Sequence, residues 1–463
     1  MTNARALVYL ITTVLFIYGV MRLRNPQQAR SGNTLAAIGM LLALIATLVG
    51  VSIHRPLILV IGIVVGGVIG ALSARLVKMT SMPQMVALFN GMGGGAAALV
   101  ASGDVLRLVP HANAGAADLT VALLDILIGA VSFSGSLIAF AKLNEWMTGR
   151  PITYTGQRTI NAIVFGILVL GGAYLIITGD AHQGGFFLAY ALGAIVLGLL
   201  GVFPIGGGDM PVVISLLNSF TGLAVAATGF LLKNDVLIVA GTFVGASGAI
   251  LTQLMSHAMN RSLGNIVFGA FGQIQTHGSA GAVDGTVQET HAEDVAILLS
   301  YASRVVIVPG YGLAVARAQQ EVKELMNNLE AKGVDVRFGI HPVAGRMPGH
   351  MNVLLAEVDI PYQKLYDMDA INPDFPRTDV VLVVGANDVT NPDARNNPSS
   401  PLYGMPILNV DAAQRIIVLK RSMNPGFAGI DNPLYLNPKC QMLFGDAKQS
   451  LNQLLQALNE VVV

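Results

Sequence analysis

The chain has 463 residues, no net formal charge, 53% hydrophobic residues and only 12% charged ones, about half the charge density of an average soluble domain. The neutrality is a cancellation: residues 1–260 carry 12 Lys/Arg and 7 Asp/Glu, residues 261–463 carry 15 and 20, so a basic half precedes an acidic one. A single ordinary globular domain, a disordered chain and a nucleic-acid binder driven by net charge are excluded, which leaves a membrane-embedded half followed by a water-exposed half.

Nine apolar runs are long enough to cross a hydrocarbon layer ~30 Å thick. They lie near 6–22, 34–53, 56–77, 83–102, 117–141, 159–178, 184–203, 211–232 and 235–258. The first reads as an anchor rather than a cleaved leader, because its positive charge follows the run (Arg22, Arg24, Arg30) and no small-residue cleavage site comes after it. Arg22, Arg24, Arg30, Arg75, Lys78, Lys142, Arg150 and Arg158 fall on one side of the spans, and only Arg5, Arg55, Arg107 and Lys233 on the other. The positive-inside rule then places the N-terminus outside and the C-terminal half in the cytoplasm.

Glycines at four-residue spacing, Gly62, Gly66 and Gly70 and again Gly241 and Gly245, predict grooves in which helix backbones approach closely. Polar residues inside the spans are few. Asn90 is followed by a glycine cluster, Asp125 lies well within the fifth run, and Asn218 sits in the eighth beside Ser215, Ser219 and Thr221. Asp209 closes a Gly206-Gly207-Gly208 turn, and Arg261 ends the ninth run on the same predicted side. Two readings stay open for these residues: a water- or proton-conducting path, or interhelical hydrogen bonds and interfacial caps.

Residues 262–290 read as a linker, polar and glycine-rich from 272 onward. A helix at 291–300 follows, then a strand at 304–309, a helix at 312–329, strands at 334–340, 379–385, 405–408 (short) and 415–420, and a last helix at 446–461. Val- and Ile-rich strands separated by helices predict an α/β Rossmann-like, doubly wound parallel-sheet domain over 291–463, behind a multi-span α-helical membrane domain over 1–261. A lone Cys440 and the absence of clustered His/Cys spacing point to no metal site.

The first strand runs into Gly310-Tyr311-Gly312-Leu313-Ala314-Val315, a dinucleotide fingerprint in its proper strand-to-helix setting but with Val315 at the third glycine position. Gly312 in that setting lets a phosphate approach backbone amides. The second strand ends Gly339-Ile340-His341, without the acid that holds ribose hydroxyls in the usual pose. Lys420-Arg421-Ser422, at the end of the last predicted strand, suits a phosphate monoester. Two readings stay open for this run: a solvated strand end, or a site for the 2′-phosphate of NADP on the flank opposite the usual one, in which case the cofactor would run backwards across the sheet. Arg346 in the 341–350 loop is a candidate for a pyrophosphate. Asp388, in the loop Gly385-Ala386-Asn387-Asp388-Val389, is the candidate catalytic residue beside the nicotinamide, and Asp446 is at least an N-cap. A second reading remains open at this point, a channel or transporter whose nucleotide domain is only a regulatory sensor.

The segments GGGDMPVVISLLNSFTG (206–222), GASGAIL (245–251), VPGYGLAVARAQ (308–319), RFGIHPVAGRMPGHMNVLLAE (337–357), VVGANDVTNP (383–392), GMPIL (404–408), KRSMNPGFAG (420–429) and MLFGDAK (442–448) carry a further resemblance. Across essentially its whole length the chain resembles the beta subunit of the proton-translocating NAD(P) transhydrogenase family. The resemblance implies an enzyme of the inner (plasma) membrane that transfers hydride between NADH and NADP⁺ while protons cross. It implies NADP(H) on this chain and NAD(H) on an alpha subunit, which brings further transmembrane helices and without which the full reaction does not run. A dimer of alpha–beta units in the lipid membrane, with no nucleic acid, is also implied.

Carried over residue by residue, the family's NADP contacts fall on Tyr311, on Val343, Ala344, Gly345, Arg346, Met347 and Pro348, and on Gly385 to Val389. They continue on Gly404 and Met405, on Lys420, Arg421, Ser422, Met423, Asn424, Pro425, Gly426 and Phe427, and on Asp446 and Ala447. Asn90 and Asn218 fall on the proton path, with Asp209 and Arg261 as coupling residues. Many relatives have histidine where this chain has Asn90, and asparagine cannot relay a proton by titrating. The relay is then expected from a histidine on the partner's helices or from water held by Asn90 and Asn218. Phe427 stands where relatives often have tyrosine.

Overall fold

The computed structural model describes residues 3–23, 26–50, 56–77, 81–108, 115–148, 151–178, 184–259, 264, 286–347, 349–400, 402–426 and 428–461. The chain divides into two compact units, one built largely of long apolar helices and the other holding a sheet.

Among the described residues, nine helices are long and apolar enough to span a membrane: α1 (Asn3–Leu23), α2 (Pro26–Gly50), α3 (Pro56–Leu76), α4 (Met82–Leu108), α5 (Ala116–Leu143), α6 (Gln157–Thr178), α7 (Gly184–Val202), α8 (Met210–Leu231) and α9 (Asp235–Ala258). Each answers one predicted run. The α2 helix opens well before its apolar stretch, because Pro26 pre-sets the first turn and polar residues then continue it.

Small residues bring the backbones together. A Cβ added at Gly129 would stand 2.7 Å from Gly94 O, which locks α5 against α4. One added at Gly222 would stand 2.7 Å from Gly245 Cα, and one at Gly241 2.7 Å from Gly222 O, so α8 and α9 meet as predicted. Gly62, Gly66 and Gly70 behave differently. Nothing lies within 4 Å of a Cβ at any of them, and α3 has no buried residue. The groove expected there is unfilled by the described residues.

The second unit holds six parallel strands in the order β3-β2-β1-β4-β5-β6, the order of a dinucleotide-binding fold. In chain order come α10 (Ala292–Ser300), β1 (Arg304–Pro309), α11 (Tyr311–Ala316), α12 (Gln319–Ala331), β2 (Asp335–Ile340), α13 (His350–Glu357), β3 (Leu365–Asp367), β4 (Val380–Val384), β5 (Arg415–Lys420), β6 (Cys440–Phe444) and α14 (Ala447–Glu460). Registers such as Ile307↔Leu382↔Ile417 stack β-branched and leucine side chains, buried on both faces. One face, with Val305, Ile307, Leu382 and Ile417, packs against α10 to α14. The other, with Val306, Val308, Val381 and Val418, is covered by the shorter segments around Phe375, Leu408 and Tyr435. The connections change faces where the strand order reverses, between β1 and β4. That is the crevice in which ligands bind in such folds.

Three expectations change. Residues 405–408 form no strand: Pro406 has no N–H to give a ladder, its carbonyl is held by His341 Nε2 at 2.8 Å, and Leu408 N is bonded to Val389 O. The sheet instead gains β3 and β6, which are short or poor in β-branched residues. The predicted helix 312–329 breaks into α11 and α12, because Arg317 takes a left-handed conformation (φ 52°).

Candidate functional site

The loops after β1, β4, β5 and β6 converge on the C-terminal edge of the sheet around a cavity of about 310 Å³. Twelve of the residues singled out in the sequence line it: Gly312, Val315, Gly385, Ala386, Asn387, Lys420, Arg421, Ser422, Asn424, Pro425, Gly426 and Ala447. Leu419, next to the basic run, and Gly445, within the MLFGDAK segment, complete the wall.

The fingerprint glycines bring two turns together. Gly310 N is bonded to Val384 O and Gly312 N to Gly385 O, both at 2.9 Å, so neither amide is open to a phosphate. Their lack of a side chain lets the β1 and β4 turns touch: a Cβ on Gly312 would lie 2.7 Å from Gly385 Cα, and Gly385 itself sits at φ +67°.

The Lys420 and Arg421 side chains stand at the far flank. Lys420 Nζ donates to Asn424 O at 2.6 Å and lies 4.8 Å from the Tyr435 ring centroid. Burial draws its ammonium below the usual lysine range, opposed by the charges of Asp388 and Asp431. Arg421 is exposed and bonds Asp446 Oδ2 at 2.9 Å, while Asp446 Oδ1 caps α14 by accepting from Lys448 N at 3.1 Å. Lys420 is thus held by a neutral carbonyl, and Arg421 by a solvent-exposed ion pair, a kind of contact worth little net stability.

The 420–429 loop is tied down from the β4 side. Asp388 Oδ2 accepts the Ala428 N–H at 2.9 Å, and Gly426 leaves room for the Asp388 carboxylate that a Cβ would fill. Asn387 is oriented by Tyr435, whose hydroxyl donates to Asn387 Oδ1 at 2.7 Å, and by Asn432 Nδ2 at 3.1 Å. Burial raises the Tyr435 phenol well above the usual range, so it stays a donor. Neither Tyr435 nor Asn432 was legible as a site residue, because their distance in sequence hides the contact. Val389 is core, and Met423 is exposed.

The loop after β2 forms the opposite flank. The Arg346 guanidinium lies 4.6 Å from the Tyr311 ring centroid, and His350 meets that ring edge-on at 6.3 Å. His350 Nδ1 accepts from Arg346 N at 2.9 Å, and burial with the Arg346 charge lowers its pKa to about 4. Val343, Ala344 and Met347 belong to this loop, which turns through Gly345 at φ +117°. Gly404 and Met405 are not in the first cavity. They line a second, of about 410 Å³, with Asn372 and Arg395 among its walls. Pro348, Phe427 and Arg261 lie outside the described residues.

In the membrane unit Asn90 Nδ2 donates to Ser136 Oγ at 2.9 Å and to Ser132 Oγ at 3.4 Å, and Ser132 Oγ is 2.6 Å from Thr221 Oγ1. Asn218, half-buried, lies one turn from Thr221 on α8. Asp209 ends the 3₁₀ turn Gly207–Asp209, in the short stretch before and at the start of α8 that clusters with the second unit. Ser132 and Ser136 were missed, although their four-residue spacing faces Asn90.

The family described as NAD(P) transhydrogenase beta subunit matches residues 5–457. This chain belongs to that family. Two relatives, each an NAD(P) transhydrogenase subunit beta of Rhodospirillum rubrum, are 46% identical to it over 458 residues, covering 97% of this chain and 98% of the relative. As a transhydrogenase beta subunit the chain is a membrane protein, works as part of an oxidoreductase that uses NAD(P), and has an alpha subunit for partner.

Proposed function

We propose that this chain binds NADP(H) along the C-terminal edge of its sheet and passes hydride to or from NAD(H) on the alpha subunit, coupled to proton movement through the helical unit. The observation that carries this is the cavity walled by the β1, β4, β5 and β6 loops, with Lys420, Arg421 and Ser422 in its wall; Tyr311 and Arg346 pair outside that wall, toward the loop after β2. Three features fit a nicotinamide dinucleotide with a 2′-phosphate: two cations with a hydroxyl, a glycine-tight β1–β4 junction, and no acid after β2. When bound, the dinucleotide supplies the hydride chemistry.

The chain's own residues do the holding. Lys420 and Arg421 neutralise the phosphate monoester, with Arg421 leaving Asp446 to do so, and Ser422 adds a hydroxyl. Arg346, braced on Tyr311, serves the pyrophosphate. Asp388 fastens the loop that follows Lys420, through Ala428, and so excludes water beside the reacting ring; Phe427 is assigned to the same set of contacts. Met423, Asn424, Pro425 and Gly426 complete that cover, Ala447 is a contact within the cavity, and Gly404 and Met405, which line the second cavity, are assigned to the cofactor by the family resemblance alone.

The working domains are 1–261 in the membrane, 262–290 as linker and 291–463 as the NADP(H) domain, the last in the cytoplasm beneath the inner membrane. The assembly is a dimer of alpha–beta units. Asn90 and Asn218 hold water on the proton path, and Asp209 and Arg261 couple it to the redox state. Coupling requires the loop's states to differ in affinity for NADP⁺ and NADPH, since a ligand shifts an equilibrium only by differential binding.

The test is nucleotide affinity in the complete alpha–beta complex. Arg421→Ala should weaken NADP⁺ binding ~10- to 100-fold, the worth of one charge-assisted contact, and leave NAD⁺ binding unchanged. Equal NADP⁺ affinity in the variant and the parent refutes the assignment.

A further inference from the structure

Two polar rungs cross the contact between α5 and α8. The first is the Ser132–Thr221 hydroxyl pair, to which Asn90 adds its amide. The second is Asp125, whose Oδ2 accepts from Thr228 Oγ1 at 2.6 Å. On each helix the rungs are seven residues apart, two turns or ~10 Å of rise. One seam therefore carries both.

Asp125 is fully buried, and its Oδ1 has no hydrogen-bond partner among the described residues. A purely structural acid would have both oxygens satisfied, because an unmet buried acceptor is costly. Thr228 is equipped for either protonation state. Its hydroxyl has Ala224 O at 3.1 Å as a second acceptor. It donates to the carboxylate, or turns to Ala224 O and accepts from the carboxylic acid. Ionisable groups within membrane bundles characteristically mark ion or proton pathways.

We propose that Asp125, backed by Thr228, is an ionisable station of the proton path and supplies the titratable group that Asn90 lacks. This rests on the proton-translocating reading above. The step balances: the carboxylate takes one proton from one side, gives it up to the other, and returns unchanged, with no bond between heavy atoms altered. The helices around α5 bring few other ionisable groups, namely Asp104 and Arg107 on α4, Arg158 and Tyr174 on α6, and Tyr190 on α7; α8 has none. Tyr190 is engaged with Leu123 O at 3.3 Å. On α5 itself, Asp118 lies two turns away, and Lys142 is held by the carbonyls of Phe203 and Ile205 at 2.6 and 2.7 Å.

The experiment uses the complete alpha–beta complex in sealed vesicles, with hydride transfer followed on nucleotide analogues and proton uptake on an enclosed pH dye. Asp125→Asn should lower proton uptake at least ten-fold, Asp125→Glu should restore most of it, and Thr228→Val should displace the pH profile of the uptake rate. Parental uptake and an unshifted pH profile in Asp125→Asn overturn the proposal. Because a substituted bundle can fail to fold, the unmodified complex is also treated with a membrane-permeant carbodiimide. Labelling of Asp125, read by mass spectrometry of the α5 peptide, should rise in step with the loss of proton uptake. Complete loss with Asp125 unlabelled overturns the proposal. An unmodified complex that transfers hydride yet moves no proton overturns the translocation reading, and this proposal with it.

Discussion

His341 sits buried after β2 with both ring nitrogens committed: Nε2 to Pro406 O at 2.8 Å, and Nδ1 accepting from Val343 N at 3.3 Å. That pairing needs the neutral ring, and burial lowers its pKa to about 4. The unfolded chain, with an ordinary histidine near pH 6.5, binds the proton first as pH falls. Folding stability from this group is therefore intact above about pH 6.5 and lost as pH drops toward 4, by up to about 3 kcal/mol. His350, also held neutral, acts in the same direction. Thermal unfolding of the purified chain should show the sheet unit's midpoint falling across that window. His341→Gln, which keeps a donor for Pro406 O, should flatten the slope; an equally steep slope in the variant refutes the account. At this scale the sequence was only partly readable. The basic run at Lys420 and Arg421 is contiguous and shows directly. The grip of Tyr435 and Asn432 on Asn387 joins residues 45 and 48 positions apart, and no local pattern encodes it.

Elements follow burial more faithfully than residues do. The nine helices and the strands β1, β4 and β5 are legible because each must bury a nearly continuous apolar run, in lipid or between two layers. The β3 and β6 strands were not, since three residues or a Cys-Gln-Met stretch at a sheet edge carry no periodic signal. Glycine spacing alone does not name the neighbour: α3 and α9 share the pattern, and among the described residues only the α9 glycines are packed. That contrast makes a paired test. Gly222→Ala pushes a Cβ to within 2.7 Å of the Gly245 backbone and should cost about 1–3 kcal/mol. Gly66→Ala, with open space around it, should stay within about 0.5 kcal/mol. Unfolding of the detergent-solubilised chain measures both, and equal effects at the two sites contradict the packing described for α8 and α9.

Across the whole molecule the two halves of opposite charge are expected to occupy different surroundings. An excess of Lys and Arg on one side of the spans fixes orientation, and an odd number of spans puts the two ends of the helical unit on opposite sides. If α1 begins outside, the sheet unit lies in the cytoplasm, joined through residues 262–290, whose sequence is rich in Gly and small polar residues, a composition that proteases favour. Protease added to inside-out vesicles should then release a soluble fragment containing 291–463, and the same treatment of right-side-out vesicles should not. Release only from right-side-out vesicles reverses the orientation. Cleavage that yields no soluble fragment contradicts the domain boundary, since a unit with its own two-faced core has no need of the bilayer. Bound NADP⁺ should leave with that fragment, because every residue assigned to hold it lies beyond position 309.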